Sequence, residues 1–342
     1  MLRENNFNFL RALFATLVIV SHGPEIMDGN RSREPMTQLF HTLSAGEFAV
    51  NAFFLLSGYL ILQSWRSRPN MLVFLEKRIL RIYPGFILAS LLCIFFFGYL
   101  GGGANYLFEL NAPRLIGDML TLHMPELPPV FQGSHYPNID DSMWTIQYEF
   151  VCYLFVALLG WLSGPNLARV WIGAAVLVFM AYLANRMGWF DMPTHSAFFL
   201  LRFLVMFTAG GCFALADSGW WRKPPIVLLA GVLLLAGLFS HRLADLVCAT
   251  AGGIILFAVA LDKTPWLRWY NRLPDLSYGI YLYAWPIEKL LLHYRPQNGL
   301  LLTVLEVWLL SVAAGWLSWH VIEQRALGWK PVSAVAMGKV GS

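Results

Sequence analysis

The chain has 342 residues, of which 58% are hydrophobic and only 13% charged, with a formal net charge of +4. A mean hydropathy of +0.57 excludes an ordinary soluble globular domain and points to an all-α, polytopic membrane helix bundle. The small positive balance makes no case for nucleic acid, because the basic residues can be assigned to one side of a bilayer instead.

The first apolar stretch, Phe7 to about Met27, is long enough to cross a bilayer at about 20 residues, yet it carries Arg11 near its start and His22 near its end. Eleven positions at roughly 100° each end about 20° past three full turns, so both side chains share one helix face, about 16 Å apart along the axis. Two aligned ionisable groups at opposite depths suggest a buried pathway with something to hold at each end. The plainer reading makes each an interfacial anchor, with Arg11 snorkelling to the cytoplasmic headgroups. Pro24 and Glu25 follow without a small-residue cleavage site, so the segment reads as a retained helix and not a signal peptide.

A polar loop over 28–45 leads to a second apolar stretch, about Gly46 to Trp65. Arg66, Arg68, Lys77, Arg78 and Arg81 come next, opposed by one acid, Glu76, and interleaved with Leu72, Val73, Leu75, Ile79 and Ile82 as on a helix lying in the membrane surface. A third span is expected at about Pro84–Ala104. The longest loop, about 105–142, is acidic and rich in Pro and Gly, which predicts irregular structure; a loop of that length between spans is more often functional than idle. The fourth span, about Met143 to Ser163, opens with Trp144 and Tyr148 and carries Glu149 about a turn and a half inside. Further spans are expected at about 167–186, 196–216, 225–240, 243–261, 277–293 and 300–321, giving about ten.

With the amino terminus in the cytoplasm, Arg31, Arg33, Arg114, Arg186, Arg242 and Arg295 fall outside and Arg11, Arg202 and Lys289 within spans. The other fifteen Lys and Arg, among them Arg3, Lys263, Arg268, Lys330 and Lys339, then lie inside, a bias that fits an even number of spans and cytoplasmic termini. The expected organisation is one transmembrane domain over 1–326 and a short cytoplasmic tail over 327–342.

In this topology Glu149 lies at about the depth of His22. A His that takes a proton with one ring nitrogen needs the other held by a carboxylate or carbonyl, a part Glu149 can play; otherwise Glu149 is a packing residue kept neutral by burial. Arg78 and Arg81 suit either lipid anchoring or the phosphates of a nucleotide-bearing donor, which a guanidinium grips as a fork. Ser57, in FFLLSGYL, has no base among its sequence neighbours and reads as a small packing residue, not a nucleophile. Cys93, Cys152, Cys212 and Cys248 read as buried hydrophobes, and the eight scattered His residues give no metal-ligand spacing.

Six ordered motifs then carry a resemblance: LRALFATLVIVSH, NAFFLLSGYL, KRILRIYP, SMWTIQYEFVCYL, LSYGIYLYAWPI and WHVIEQ, spread over Phe7 to Glu323. Together the chain resembles the bacterial integral membrane acyltransferase-3 family, whose members move acetyl or related groups from cytoplasmic acyl-CoA onto surface polysaccharides, lipid-linked glycans or small molecules. The resemblance implies a multi-pass enzyme of the bacterial inner membrane, with acyl-CoA as co-substrate, no permanently bound cofactor and no metal. By that similarity His22 matches the family's essential His, Arg11 its partner, Arg78 and Arg81 the basic pair on the donor side, and Trp144 and Glu149 the fourth-span motif; His22 and Glu149 are expected to be catalytic and Arg11, Arg78 and Arg81 donor-binding, with Trp144, Ser57, Tyr148 and Tyr281 expected as acceptor or pocket residues. Two departures stand out. Ala284 occupies a position where many members have His, which adds weight to His22, and the chain stops soon after the last span where some members continue into an esterase-like domain. A proton-coupled transporter of a small polar solute is the rival class, since buried Arg, His and Glu also describe proton pathways; the absence of repeated halves opposes it.

Overall fold

The computed structural model describes residues 5–329 except 132, 137, 263–266, 268, 269 and 271, together with the backbone but not the side chain of residue 104. Arg3, Lys263, Arg268, Lys330, Lys339 and most of the expected tail therefore lie outside the described residues. Within them the chain is helical and has no strand. This is what an apolar environment demands of a backbone that must satisfy its own N–H and C=O groups.

Six helical runs are long and apolar enough to cross a membrane: Phe7–Asp28, Ala45–Ser67, Met71–Gly102, Thr145–Arg186, His195–Leu215 and Leu300–Gly328. The principal helices are α1 (Phe7–Asp28), α2 (Ala45–Ser67), α3 (Met71–Leu92), α4 (Thr145–Ser163), α5 (Leu167–Arg186), α6 (His195–Leu215), α7 (Pro224–Leu238), α8 (Ala244–Ala260, with a π turn at Cys248–Gly252), α9 (Ser277–Tyr294) and α10 (Leu300–Ser318). Each expected apolar stretch thus falls on a helix, and α7 and α8 are the short apolar ones.

Two expectations change. The basic stretch and the third span are one continuous helix, with Pro84 inside α3, instead of a surface helix followed by a span. A proline interrupts a helix because it lacks a donor and crowds the preceding turn; here the nearby Ile82 carbonyl accepts an extra bond from the Tyr278 hydroxyl at 2.9 Å. The long loop is also less irregular than expected, since it holds short helices at Ala104–Glu109 and Ala112–Leu120, the second capped by the Asn111 side chain. Beyond them the backbone turns through left-handed Leu122 (φ 57°) and Phe131 (φ 55°).

The chain forms two compact units, each discontinuous in sequence. The first comprises the described residues of Met1–Phe14, Leu39–Leu75 and Tyr148–Leu273, and the second those of Ala15–Gln38, Glu76–Gln147 and Pro274–Ser342.

In the first unit α2 starts at a capping box. The Ser44 hydroxyl accepts from the Glu47 N–H at 3.1 Å, and the Glu47 carboxylate accepts from the Ser44 N–H at 2.9 Å. From there α2 runs against α6 so closely that a Cβ at Gly58 would lie 1.9 Å from the Phe207 carbonyl oxygen, and one at Gly210 would lie 2.0 Å from that of Leu55. Only glycine fits at either place, and the close approach brings Phe54 and Phe203 into a stack at 4.2 Å. In the second unit α9 packs along α10, with the second half of α1 beside both: the Thr16 hydroxyl accepts from the Trp308 indole at 3.0 Å.

Candidate active site

The second unit holds His22. Its ring meets Trp285 of α9 edge to face, centroids 4.7 Å apart, and Tyr136 of the long loop packs on the same indole at 5.5 Å. The His22 residue is half-buried, and its Nδ1 is buried without a hydrogen-bond partner among the described residues. Two positions on, Pro24 deprives the Val20 carbonyl of its helical donor, so the helix is least regular beside the imidazole.

One turn further along α1, Glu25 is buried yet saturated: it accepts from the Tyr136 hydroxyl at 3.2 Å and from Arg31 Nε at 3.1 Å. Burial first, and then the Glu25 charge, push the Tyr136 phenol up to about 12, so Tyr136 is a firm donor at neutral pH. Glu288 of α9 is different. It is 1% exposed, and neither carboxyl oxygen has a hydrogen-bond partner among the described residues. The next residue, Lys289, donates to the backbone carbonyls of Tyr136 and Asn138, the latter at 2.8 Å, and its ammonium lies 5.4 Å from the centre of the Phe131 ring. These bonds tie the long loop to α9.

A cavity of about 400 Å³ opens here, lined by Ile26 and Met27 of α1, Phe131 and His135 of the loop, and Lys289 and His293 of α9. Ile26 and Lys289 are each four residues beyond His22 and Trp285, one helical turn along their helices. The cavity thus begins a turn from the imidazole, and its size and mix of one aromatic ring, two imidazoles and an ammonium suit a small polar ligand.

The remaining expected residues divide between the units. Tyr281 lies in the second, where its hydroxyl donates to the Ser142 carbonyl and accepts from the Thr145 hydroxyl, both at 2.7 Å. It braces the end of the long loop, just where Trp144 leads into α4. Beside that brace, Asp140 accepts from the Ser142 N–H at 2.7 Å and hydroxyl at 2.6 Å, while burial pushes its carboxyl up to about 7. Arg81 also belongs to this unit: it donates to Asp275 at 2.8 Å, stands 3.8 Å from Glu323, and has the Tyr278 and Trp319 rings each 5.8 Å away. Arg78, three residues earlier on α3, is partly exposed.

In the first unit Glu149 accepts from the Ser57 hydroxyl at 2.9 Å and the Tyr153 hydroxyl at 2.6 Å. The structure therefore gives Ser57 the carboxylate that its sequence neighbours do not supply, from ninety-two residues away. Tyr148 is buried with its ring edge-on to Phe203 at 5.5 Å. Arg11 is partly exposed on the part of α1 in this unit.

Sequence reasoning missed two clusters. Glu288 sits in an apolar stretch beside Lys289, and an acid at that depth is itself a signal of function. Asp245 of α8, 9% exposed, accepts from Asn51 at 2.9 Å, Arg202 at 3.0 Å and Tyr182 at 2.5 Å. Arg202 was placed inside a span with no partner named for it. Among the described residues no group of His, Cys, Asp and Glu is arranged to hold a metal ion.

Comparison with known proteins gives a consistent picture. The chain is 27% identical to an O-acetyl transferase of Shigella phage Sf6, covering 96% of this chain and 97% of that protein. It is 26% identical to nodulation protein 10 of Rhizobium leguminosarum bv. viciae over 95% of this chain and 93% of that one. It is 28% identical to the acyltransferase MdmB of Streptomyces mycarofaciens over 60% and 55%. No solved structure matches. The model of the acyltransferase domain matches residues 4–323, and the chain, a multi-pass helical membrane protein, belongs to the acyltransferase-3 family.

Proposed function

We propose that this protein is a membrane-embedded O-acyltransferase that moves an acyl group, acetyl foremost, from acyl-CoA to a hydroxyl of a surface polysaccharide or lipid-linked glycan. The observation that carries the reading is the half-buried His22, held against Trp285 with Nδ1 unpartnered, one turn from a polar cavity that can take the acceptor. The O-acetyl transferase of the phage supports the choice of acetyl and of oxygen as acceptor atom.

In this mechanism the acceptor hydroxyl gives its proton to His22 Nε2 as its oxygen bonds to the thioester carbonyl carbon. The C–S bond breaks, and the departing CoA thiolate takes the proton back from the imidazolium. General-base help of this kind contributes about 10²–10⁴-fold, and holding both substrates together supplies much of the rest. The donor enters from the cytoplasm, where Arg11, Arg78 and Arg81 meet its phosphates; Asp275 holds Arg81 in a fixed orientation. In the first unit Glu149 takes up the Ser57 and Tyr153 hydroxyls beside Tyr148; in the second, Tyr281 braces the loop end that leads into Trp144. Ten spans, cytoplasmic termini and a bacterial inner-membrane location complete the proposal, with acyl-CoA consumed as a co-substrate.

The test is transfer or hydrolysis of radiolabelled acetyl-CoA by purified protein in the absence of any ion gradient, combined with mass spectrometry of surface glycans from cells with and without the gene. Label released or transferred by the wild type, together with loss of an ester from the glycans when the gene is absent, supports the reading. An inert protein and unchanged glycans overturn it.

A further inference from the structure

The second unit contains two buried polar groups on facing helices that the described residues leave without partners, His22 Nδ1 on α1 and the Glu288 carboxyl on α9. Trp285, whose ring touches His22, and Glu288 are three apart on α9 and so project from adjacent turns of one face. Gly23, the residue after His22, lies directly under Glu288: a Cβ built there would come 3.8 Å from Glu288 Oε1, and would strike Val304 at 2.7 Å and Leu300 at 3.0 Å. The glycine lets α9 and α10 close on the α1 backbone, and this puts the carboxyl beside the residue that follows His22 in the chain.

We infer that Glu288 is the positioning carboxyl of His22: it holds the Nδ1 proton, leaves Nε2 free to act as base, and stabilises the imidazolium that forms during transfer.

The charges around this pairing are mostly engaged elsewhere. On α1, Glu25 pairs with Arg31 and Tyr136, while the Glu25 charge still bears on Glu288 and that of Arg31 on His22. On α9, Lys289 is spent on the carbonyls of Tyr136 and Asn138. From α10 the neighbours at Gly23 are the apolar Val304 and Leu300, and the acid of that helix, Glu306, pairs with Arg295 at 3.0 Å. An isolated carboxylate is costly to bury, and the imidazolium of His22, on the residue before Gly23, is a counter-charge with no hydrogen-bond partner at Nδ1 among the described residues. A His whose second nitrogen is held by a buried carboxylate keeps one tautomer and one orientation, and is the better base for it.

The inference rests on the proposed role of His22, so its test reads the imidazole directly as well as through turnover. Full-length protein in detergent is treated with diethyl pyrocarbonate across a pH series, and modification of the His22 peptide is followed by mass spectrometry, with the exposed His135 as internal reference. In Glu288→Gln, which keeps the shape and removes the charge, the pH midpoint for His22 modification falls by about one unit or more relative to wild type, while that of His135 stays. The acid limb of acetyl-CoA turnover moves with it, and kcat drops while KM for the donor holds. Glu288→Asp keeps the charge and restores the midpoint, which covers the case in which Glu288→Gln fails to fold. An unchanged His22 midpoint in Glu288→Gln overturns the inference, and so does a Glu288→Asp midpoint displaced as far as one unit. A wild type that shows the coupling but processes no acetyl-CoA leaves Glu288 paired with His22 and sinks the acyl-transfer reading instead.

Discussion

Each unit buries a carboxyl group in its apolar interior, and the two are treated in opposite ways. Asp245 in the first unit accepts from Asn51, Arg202 and Tyr182, so both oxygens are satisfied and its charge faces a guanidinium. Glu288 in the second, at 1% exposure, has neither oxygen satisfied among the described residues. A saturated buried ion pair fixes helices in register; it is a structural device, and breaking it is expensive because the surviving charge stays inside. An unsaturated carboxyl carries a desolvation cost with no return in the resting protein, which makes sense where a charge appears only during a reaction. The contrast separates a carboxyl used to fix helices from one left open to a charge that comes and goes.

The contrast breaks most visibly at Asp245. Asp245→Ala takes from buried Arg202 its hydrogen-bonded carboxylate and leaves it only Glu47, 3.8 Å away, at a cost of about 3 kcal/mol, enough to remove much of the folded protein. Thermal unfolding in detergent reads this, and the paired replacement Arg202→Met with Asp245→Leu recovers much of the loss because neither charge remains. A single variant that melts like wild type would mean that the network does not hold the unit together. On the other side, His22→Ala lowers acyl transfer by about 10²–10⁴-fold with the yield and melting temperature of the folded protein unchanged. Activity retained in full would remove His22 from the reaction.

Ser57 gives a smaller and more diagnostic effect. Ser57→Ala removes one of the two hydroxyls on Glu149 and leaves Tyr153 at 2.6 Å, so the cost is about 1 kcal/mol of stability with turnover close to wild type. Complete loss of turnover in this variant would make Ser57 the nucleophile and Glu149 its base.

Apolar runs of about 20 residues are a local signal, which is why every expected stretch appears as a helix. Pro84 misled because a proline ahead of a span reads as a boundary, whereas the Tyr278 hydroxyl, almost two hundred residues away, supplies an added bond near the interruption. Partners of that kind have no local signature. The face shared by Arg11 and His22 could be read from helical periodicity alone, but neither the carboxylate that reaches Ser57 nor the closing of α9 over Gly23 can be. Both depend on which helices pack together. Glu288 and Asp245 were legible as acids inside apolar stretches, and what each one meets was not.

The gentlest perturbation concerns the loop that closes the cavity. Asp140 has an ordinary value of 3.8 that burial pushes up to about 7, with the Ser142 N–H and hydroxyl opposing the shift. Below about pH 4 the folded and opened loop both keep the proton, and pH has no effect through this group. Between there and about 7 the opened loop ionises while the folded one stays protonated, so the folded loop loses stability as pH rises, by at most about tenfold in its opening equilibrium per unit. Above about 7 both forms are ionised and the dependence levels off. Hydrogen exchange over residues 138–144, corrected for the intrinsic rate, should therefore show protection falling from about pH 5 to 7 and then flattening, and Asp140→Asn should make the slope shallower, what remains belonging to Asp141, whose carboxyl burial also pushes up, while the Lys289 contacts to the carbonyls of Tyr136 and Asn138 persist. Protection that rises over that range would mean that Asp140 is ionised in the folded loop and that the Ser142 bonds outweigh burial. The buried end of the loop beside Tyr281 would then hold a permanent negative charge next to that of Asp141.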